Sequence, residues 1–168
     1  MIQKPDKVTI LYNTSEAHKK VSEYLQQKWE QTLGVKVELV NQEWKTYLDT
    51  RRGGKMGGFE LARAGWIGDY KDPYNFLFMW LSDNFDFNDG RYYSPAYDNL
   101  VKKANTMQAG PARMKVFQQA EKILIEEDHA IMPVYYYATL NMIGLNKWDG
   151  WHSNVLDVHP TKEISPKK

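Results

Sequence analysis

Strand-like and helix-like patterns alternate along the first third of the chain, and this rhythm constrains the fold more than any other feature. Residues 8–12, Val-Thr-Ile-Leu-Tyr, form a compact β-branched and apolar run that reads as a buried strand. Ala17, Val21, Tyr24, Leu25, Trp29 and Leu33 then share one helical face; Asn13 and Glu16 have the spacing of an N-cap and its return partner, and Gly34 is placed to stop the helix. Val35, Val37 and Leu39 alternate with Lys36 and Glu38 as a second strand, and Asn41 and Glu43 open a second helix through Trp44, Tyr47 and Leu48. Past a glycine-rich turn at 53–58, Phe59, Leu61 and Ala64 alternate as a third, buried strand. This order predicts an α/β layer with parallel neighbours and right-handed crossovers. Ligands of such sheets gather beyond the C-terminal ends of strands, which directs attention to residues 12–18 and 65–70 as parts of one rim.

From Asp72 onward the pattern turns helical. Residues 74–81 suit a short apolar helix, and a polar aromatic loop runs to about Tyr93. Ser94 and Pro95 then look like an N-cap and a first helical residue, with Tyr97, Leu100, Val101, Ala104 and Met107 on the buried face. Gly110 and Pro111 begin another helix that ends near Asp128, with Met114, Phe117, Ala120, Ile123 and Leu124 at core spacing. Residues 131–137 read as a strand with Pro133 at its start or on an edge. The remainder has weak periodicity and reads as an arm with a frayed, charged end.

Composition removes several function classes. Of 168 residues, 22 are Lys or Arg and 21 are Asp or Glu, so a net charge of +1 gives no electrostatic basis for nucleic acid or an acidic membrane as partner. The absence of cysteine excludes disulfides, thiolate zinc sites and thiol nucleophiles. No apolar run is long enough to span a bilayer, and Met-Ile-Gln-Lys-Pro-Asp at the start has no hydrophobic region of a secretory signal, so the sequence as written is expected to carry no export signal. The glycines at 53–58 lack the Lys-Ser/Thr ending of a phosphate loop, and residues 83–90 lack the turn glycine and closing Glu of a calcium loop. His18, His129, His152 and His159 have no metal-ligand spacing, and no nucleophile elbow is present. The expectation is a protein that is not an enzyme and needs no cofactor or metal.

What remains is the loop at 59–73. Within seven residues it carries a guanidinium (Arg63), an indole (Trp66) and a carboxylate (Asp69). Arg63 suits a carboxylate through its planar fork, Asp69 suits an ammonium, and Trp66 supplies an apolar wall, a combination fitted to a zwitterion such as a peptide. Taken singly, each has an ordinary reading too: Asp69 as a turn cap, Trp66 as core, His18 as a solvent-exposed residue on a first helical turn, and Arg51 as a surface charge.

Four motifs then carry a resemblance. Leu-Tyr-Asn-Thr-Ser-Glu-Ala-His-Lys-Lys at 11–20, Val-Asn-Gln-Glu-Trp-Lys-Thr-Tyr-Leu-Asp-Thr-Arg at 40–51, Ala-Arg-Ala-Gly-Trp-Ile-Gly-Asp-Tyr at 62–70 and Val-Tyr-Tyr-Tyr at 134–137 occur in order. In these the chain resembles the C-terminal part of the oligopeptide-binding proteins of bacterial ABC importers, extracytoplasmic solute-binding proteins of family 5. The resemblance implies an incomplete periplasmic-binding-protein-like type II lobe, α/β with a mixed sheet flanked by helices. Residues 1–137 would be most of the C-terminal lobe, and 138–168 a hinge and return segment toward an N-terminal lobe. It implies that Asp69 pairs with the peptide's α-amino group and that Gly65, Trp66 and Ile67 border the peptide and bond its main chain. Arg63 and His18 would meet the C-termini of peptides of different length, Arg51 would line a side-chain pocket, and Tyr137 would lie beside the hinge and the peptide. The implied partners are an oligopeptide and ABC-transporter permease subunits, and the implied place is extracytoplasmic, in the periplasm or lipid-anchored at the cell surface. The alternative is a partner-binding or self-associating module without peptide binding, using an apolar patch at Trp148 and Trp151. Two departures from the family pattern stand out: Gly57 and Gly58 at the approach to the third strand, and a tail, Glu163 to Lys168, without the expected apolar ending.

Overall fold

The structure, a computed structural model, describes residues 5–53 and 58–168. Most of the glycine-rich turn, residues 54–57 with Gly57 among them, lies outside the described residues. The chain divides into two compact units, one made of the residues up to Trp66 with Met79–Asp98, the other of Ile67–Phe78 with Asn99–Lys168.

The first unit contains β1 (Lys7–Asn13), α1 (Glu16–Leu33), β2 (Lys36–Gln42), α2 (Trp44–Arg52) and β3 (Leu61–Ala62). The three strands form a parallel sheet in the order β2-β1-β3, with Val8 opposite Val37, Asn13 opposite Gln42 and Ile10 opposite Leu61. The central strand buries Ile10, Leu11, Tyr12 and Asn13 in succession, which is how a parallel strand covered on both faces behaves. The expected alternation of strands and helices is therefore present.

Its details differ from the periodic reading where backbone groups need partners. Asn13 is the last residue of β1 and not an N-cap; Ser15 holds that position, and Gly34 ends α1 in the left-handed conformation with its N–H on the Glu30 carbonyl. Tyr24 and Leu33, expected on the buried face, are exposed. That face instead carries Ser22 and Gln26: Gln26 Nε2 donates to the Val37 carbonyl at 2.7 Å and Glu30 Oε1 accepts from the Val37 N–H at 3.1 Å. Among the described residues β2 is an edge strand, so Val37 has no strand on its outer side, and α1 serves it with polar side chains. Glu43, not Asn41, caps α2, its carboxylate accepting from the Lys45 N–H at 2.9 Å.

The third strand is shorter and less buried than its alternation suggests. Glu60 Oε2 accepts from both the Thr9 N–H (2.6 Å) and the Thr9 hydroxyl (2.7 Å), taking the place of a strand carbonyl, so pairing with β1 starts only at Leu61. With β3 at the sheet edge, Leu61 is 41% exposed. After the strand, the polar loop at 81–93 closes around buried Asn88, whose amide donates to the Leu81 and Tyr92 carbonyls and accepts from the Tyr92 N–H.

In the second unit, α3 (Tyr74–Leu77) continues into a tighter turn from Phe78, a split form of the short apolar helix expected there. Helix α4 (Pro95–Thr106) starts at the expected Pro95, and its residues from Asn99 onward belong to this unit with Val101 and Ala104 fully buried. Helix α5 (Pro111–Lys122) buries Val116, Phe117 and Ala120, while Met114, expected in the core, is exposed. A wider turn follows at Ile123–Glu127, closed by the Asp128 N–H on the Ile123 carbonyl, five residues back.

Residues 131–137 form no strand. Pro133 has no N–H to give, and no ladder partner faces the segment among the described residues, so Tyr136 stands 93% exposed. The tail, expected to fray, is instead paired: β4 (Trp148–Asp149) runs antiparallel to β5 (Ser165–Pro166), and the Lys167 N–H donates to the Lys147 carbonyl at 2.8 Å. Trp151 is half-buried and stacks on His159 at 4.9 Å, so of the two indoles expected to form an open patch only Trp148 is exposed. No described helix is long and apolar enough to cross a membrane.

Gly150 makes this pairing possible. Its φ is +89°, and a Cβ there would lie 1.7 Å from the Glu163 carbonyl oxygen. Gly150→Ala is expected to separate β4 from β5, since the backbone conformation alone costs about 1–2 kcal/mol for a non-glycine residue and the overlap adds to it. Amide exchange at Lys167 checks this: protection should fall to the level of an unpaired tail while α5 keeps its own.

Candidate functional site

Within the first unit the C-terminal ends of β1 and β3 bring together Arg63 and His18. Arg63 follows β3 directly, and its backbone is fixed on both sides: its N–H donates to the Leu11 carbonyl at 2.8 Å, and its carbonyl accepts from the hydroxyl of Tyr47. Tyr47 is 0% exposed and reaches there from α2, so the strand end is set by a helix side chain. His18 lies on the first turn of α1, partly buried. Burial, and after it the positive charge of Arg63, lowers its pKa below the ordinary histidine value, with the Asn13 carbonyl opposing. The strand ends of this unit thus hold an imidazole that gives up its proton more readily than an ordinary histidine, beside a guanidinium.

Arg51, in the last turn of α2, is not a loose surface charge. Its guanidinium donates to the Tyr47 hydroxyl at 3.0 Å, pairs with Asp89 and lies 5.2 Å over the Tyr47 ring. Both members of the ion pair are mostly buried. Arg51 and Arg63 are thus joined through one phenol, an arrangement that periodicity could not reveal because Tyr47 reads as part of an apolar helix face. Trp66 is half-buried, with Phe87 edge-on to it at 5.3 Å; Gly65 before it is exposed.

The second unit holds Ile67, Asp69 and Tyr137. Ile67 is 82% exposed. Asp69 is exposed as well, and its backbone N–H donates to Oδ1 of Asn75 at 3.1 Å; among the described residues its carboxylate takes part in no hydrogen bond or ion pair. The capping carboxylate of this turn is Asp72, which accepts from the Tyr74 N–H at 2.9 Å, so the turn-cap reading of Asp69 falls away. Ile67 and Gly68 border a cavity of about 540 Å³ together with Tyr70, Phe76, Met114 and Leu156. Gly68 faces Phe76 so closely that a Cβ would come within 2.9 Å of its ring. Tyr137 is exposed and meets Tyr135 edge-on at 5.0 Å.

One pairing in this unit went unnoticed in the sequence. Arg113, from α5, grips Asp72 through both terminal nitrogens, and Asp72 sits three residues from Asp69. Arg113 stands forty-one positions from its partner on a helix whose pattern marks only apolar residues, so no local signal exposes the pair. Its hydrogen bonds lower the Asp72 pKa below the usual carboxylate value.

The chain is similar to known proteins in sequence and in structure. The family profile described as bacterial extracellular solute-binding proteins, family 5 Middle, matches residues 2–88. The chain is 43% identical over 141 residues to the periplasmic murein peptide-binding protein MppA of Escherichia coli, covering 84% of this chain and 25% of that protein. It is 41% identical over 150 residues to the periplasmic oligopeptide-binding protein OppA of the same organism, covering 89% and 26%. Among solved structures, Haemophilus influenzae OppA in complex with the peptide RPPGFSPFR superposes with a TM-score of 0.72 at 39% identity, over 79% of this chain and 25% of that one. The chain spans about a quarter of the length of these curated relatives.

Two measurements check the first unit. Tyr47→Phe removes the hydroxyl that the Arg63 carbonyl and Arg51 share, leaving Arg51 on Asp89, and is expected to lower stability by about 1–3 kcal/mol in denaturant unfolding. By NMR, His18 should titrate below the ordinary histidine midpoint, and Arg63→Gln should move that midpoint upward without restoring it fully, because burial remains. Since the folded pKa is the lower one, the unfolded chain takes up the proton first. Stability is therefore lost as pH falls from the ordinary value to the folded one.

Proposed function

Since this chain belongs to the bacterial extracellular solute-binding proteins of family 5, we propose that it is part of an oligopeptide-binding protein that captures peptides and delivers them to an ABC importer. Its α/β fold is that of the type II periplasmic-binding-protein-like oligopeptide-binding proteins. The observation that carries the reading is Asp69: an exposed carboxylate without a partner among the described residues, on a loop whose backbone is pinned by Asn75 beside an apolar cavity. A peptide offers matching groups, an ammonium for Asp69 and a main chain for the exposed backbone around Gly65, Trp66 and Ile67. Arg63, with His18 beside it, suits a terminal carboxylate. Arg51 lines a side-chain pocket with its charge already met by Asp89, and Tyr137 lies beside the hinge.

In this reading residues 1–137 supply most of one lobe and 138–168 the hinge and return segment. The whole protein works outside the cytoplasm, in the periplasm or lipid-anchored at the cell surface, and hands its cargo to permease subunits. The relatives are named as binding proteins, in keeping with a site that binds without reacting. A partner-binding or self-associating module is the second reading; it draws on the exposed apolar side chains from Met132 to Met142. Light scattering separates the two, a strictly monomeric chain counting against self-association.

Because Asp69 faces water, an ion pair there contributes little, about 1 kcal/mol or less. The 168 residues alone are therefore expected to bind a tripeptide weakly, with Kd on the order of 1 mM or higher. Amide shifts in an NMR titration should centre on 65–70, and those should vanish with Asp69→Asn or with an N-acetylated peptide. Tight, saturable binding by calorimetry, or shifts indifferent to both changes, would overturn the assignment.

A further inference from the structure

Among the described residues no bond to its own carboxylate holds Asp69 in place, yet its backbone is fixed by a relay that ends on another element. The Asp69 N–H donates to Oδ1 of Asn75, which is 2% exposed. The Asn75 N–H donates in turn to the Asp72 carbonyl at 3.0 Å, and the Asp72 carboxylate receives Nη1 and, at 3.0 Å, Nη2 of Arg113. Arg113 is itself immobilised: Nε donates to the Ala104 carbonyl near the end of α4 at 2.8 Å, and the guanidinium lies 4.6 Å over the Phe117 ring. One planar group thus ties two helices to the loop, and its side chain is 11% exposed. A bidentate guanidinium-carboxylate pair fixes direction as well as distance, which a lysine ammonium cannot do.

From this geometry we propose that Arg113 is the positioning residue of the Asp69 loop: through Asp72 and Asn75 it sets where the Asp69 backbone stands, and so where its carboxylate meets a ligand ammonium. The inference rests on the peptide-binding reading for its purpose, but not for its mechanical content. Arg113 touches no ligand in this scheme. It acts through the loop, and the flexible, exposed Asp69 side chain is thereby mounted on a rigid base. Pre-ordering of this kind strengthens binding by reducing the freedom lost when the ligand arrives.

The test uses Arg113→Lys, which keeps the charge, and Asp72→Asn, which keeps the shape and the oxygen that caps Tyr74. Amide exchange is measured on the full 168-residue chain without ligand. In both variants the Asp69 and Asn75 amides are expected to exchange about tenfold faster or more, with Val116 to Ala120 in α5 unchanged, and the double variant to be no worse than either single one. Unchanged Asp69 and Asn75 exchange overturns the proposal, as does acceleration shared equally by α5, which marks general loosening of the unit. A tripeptide titration follows. If the wild-type chain shows the shift at Asp69, each variant should need about threefold more peptide or greater for the same shift, and an equal response overturns the proposal. If the wild-type chain shows none, the peptide-binding reading has failed, and exchange alone decides whether Arg113 holds the loop.

Discussion

Backbone hydrogen-bonding groups at the margins of a very small sheet must find partners, and most of the first unit can be understood as the means of meeting that demand. A three-stranded parallel sheet has two edges, and its third strand here is two residues long. Val37 on one edge receives Gln26 and Glu30 from α1, Thr9 receives Glu60 where β3 has not yet begun, and the Arg63 carbonyl just past β3 receives the Tyr47 hydroxyl. Each of these side chains stands where, among the described residues, no strand pairing reaches. Leaving such a group buried and unpaired costs about 1–3 kcal/mol, a large share of the stability of a domain this size.

The same habit carries into the loops that bear the candidate site. Asn88 closes one loop with three hydrogen bonds, and Asn75 with Asp72 closes the other. Amide side chains suit this work because they donate and accept at once. Among the described residues the Asp69 carboxylate has no structural bond to make, while its neighbours Asp72 and Asn75 are committed to holding the loop.

How much of this was legible follows from what periodicity records. The strands at 8–12 and 35–39, the helices begun by Pro95 and Pro111, and the stop at Gly34 all stand in the sequence, because apolar spacing and proline and glycine chemistry are local. Resemblance brought out Asp69, Arg63, Trp66 and His18 as a group, and the loop composition alone already pointed to a zwitterion. What stayed hidden was polar and long-range. Tyr24 and Leu33 look like the natural buried face of α1, and only the unmet carbonyl and N–H of Val37 explain why Gln26 takes the inner position. Residues 131–137 have strand composition, but a strand also needs an edge to join. Arg113 and Asp89 are ordinary charges until the fold delivers Asp72 and Arg51 to them.

The service that Gln26 and Glu30 give to Val37 has a second effect. An open strand edge is a template on which another chain can add itself, and long apolar edges of that kind seed aggregates. On the β2 side the docking points at Val37 are already occupied by a helix of the same chain, with Lys36 and Glu38 flanking them as charges. At Val37 the edge offers no free docking point, so the polar face of α1 hinders edge pairing there as well as propping the fold.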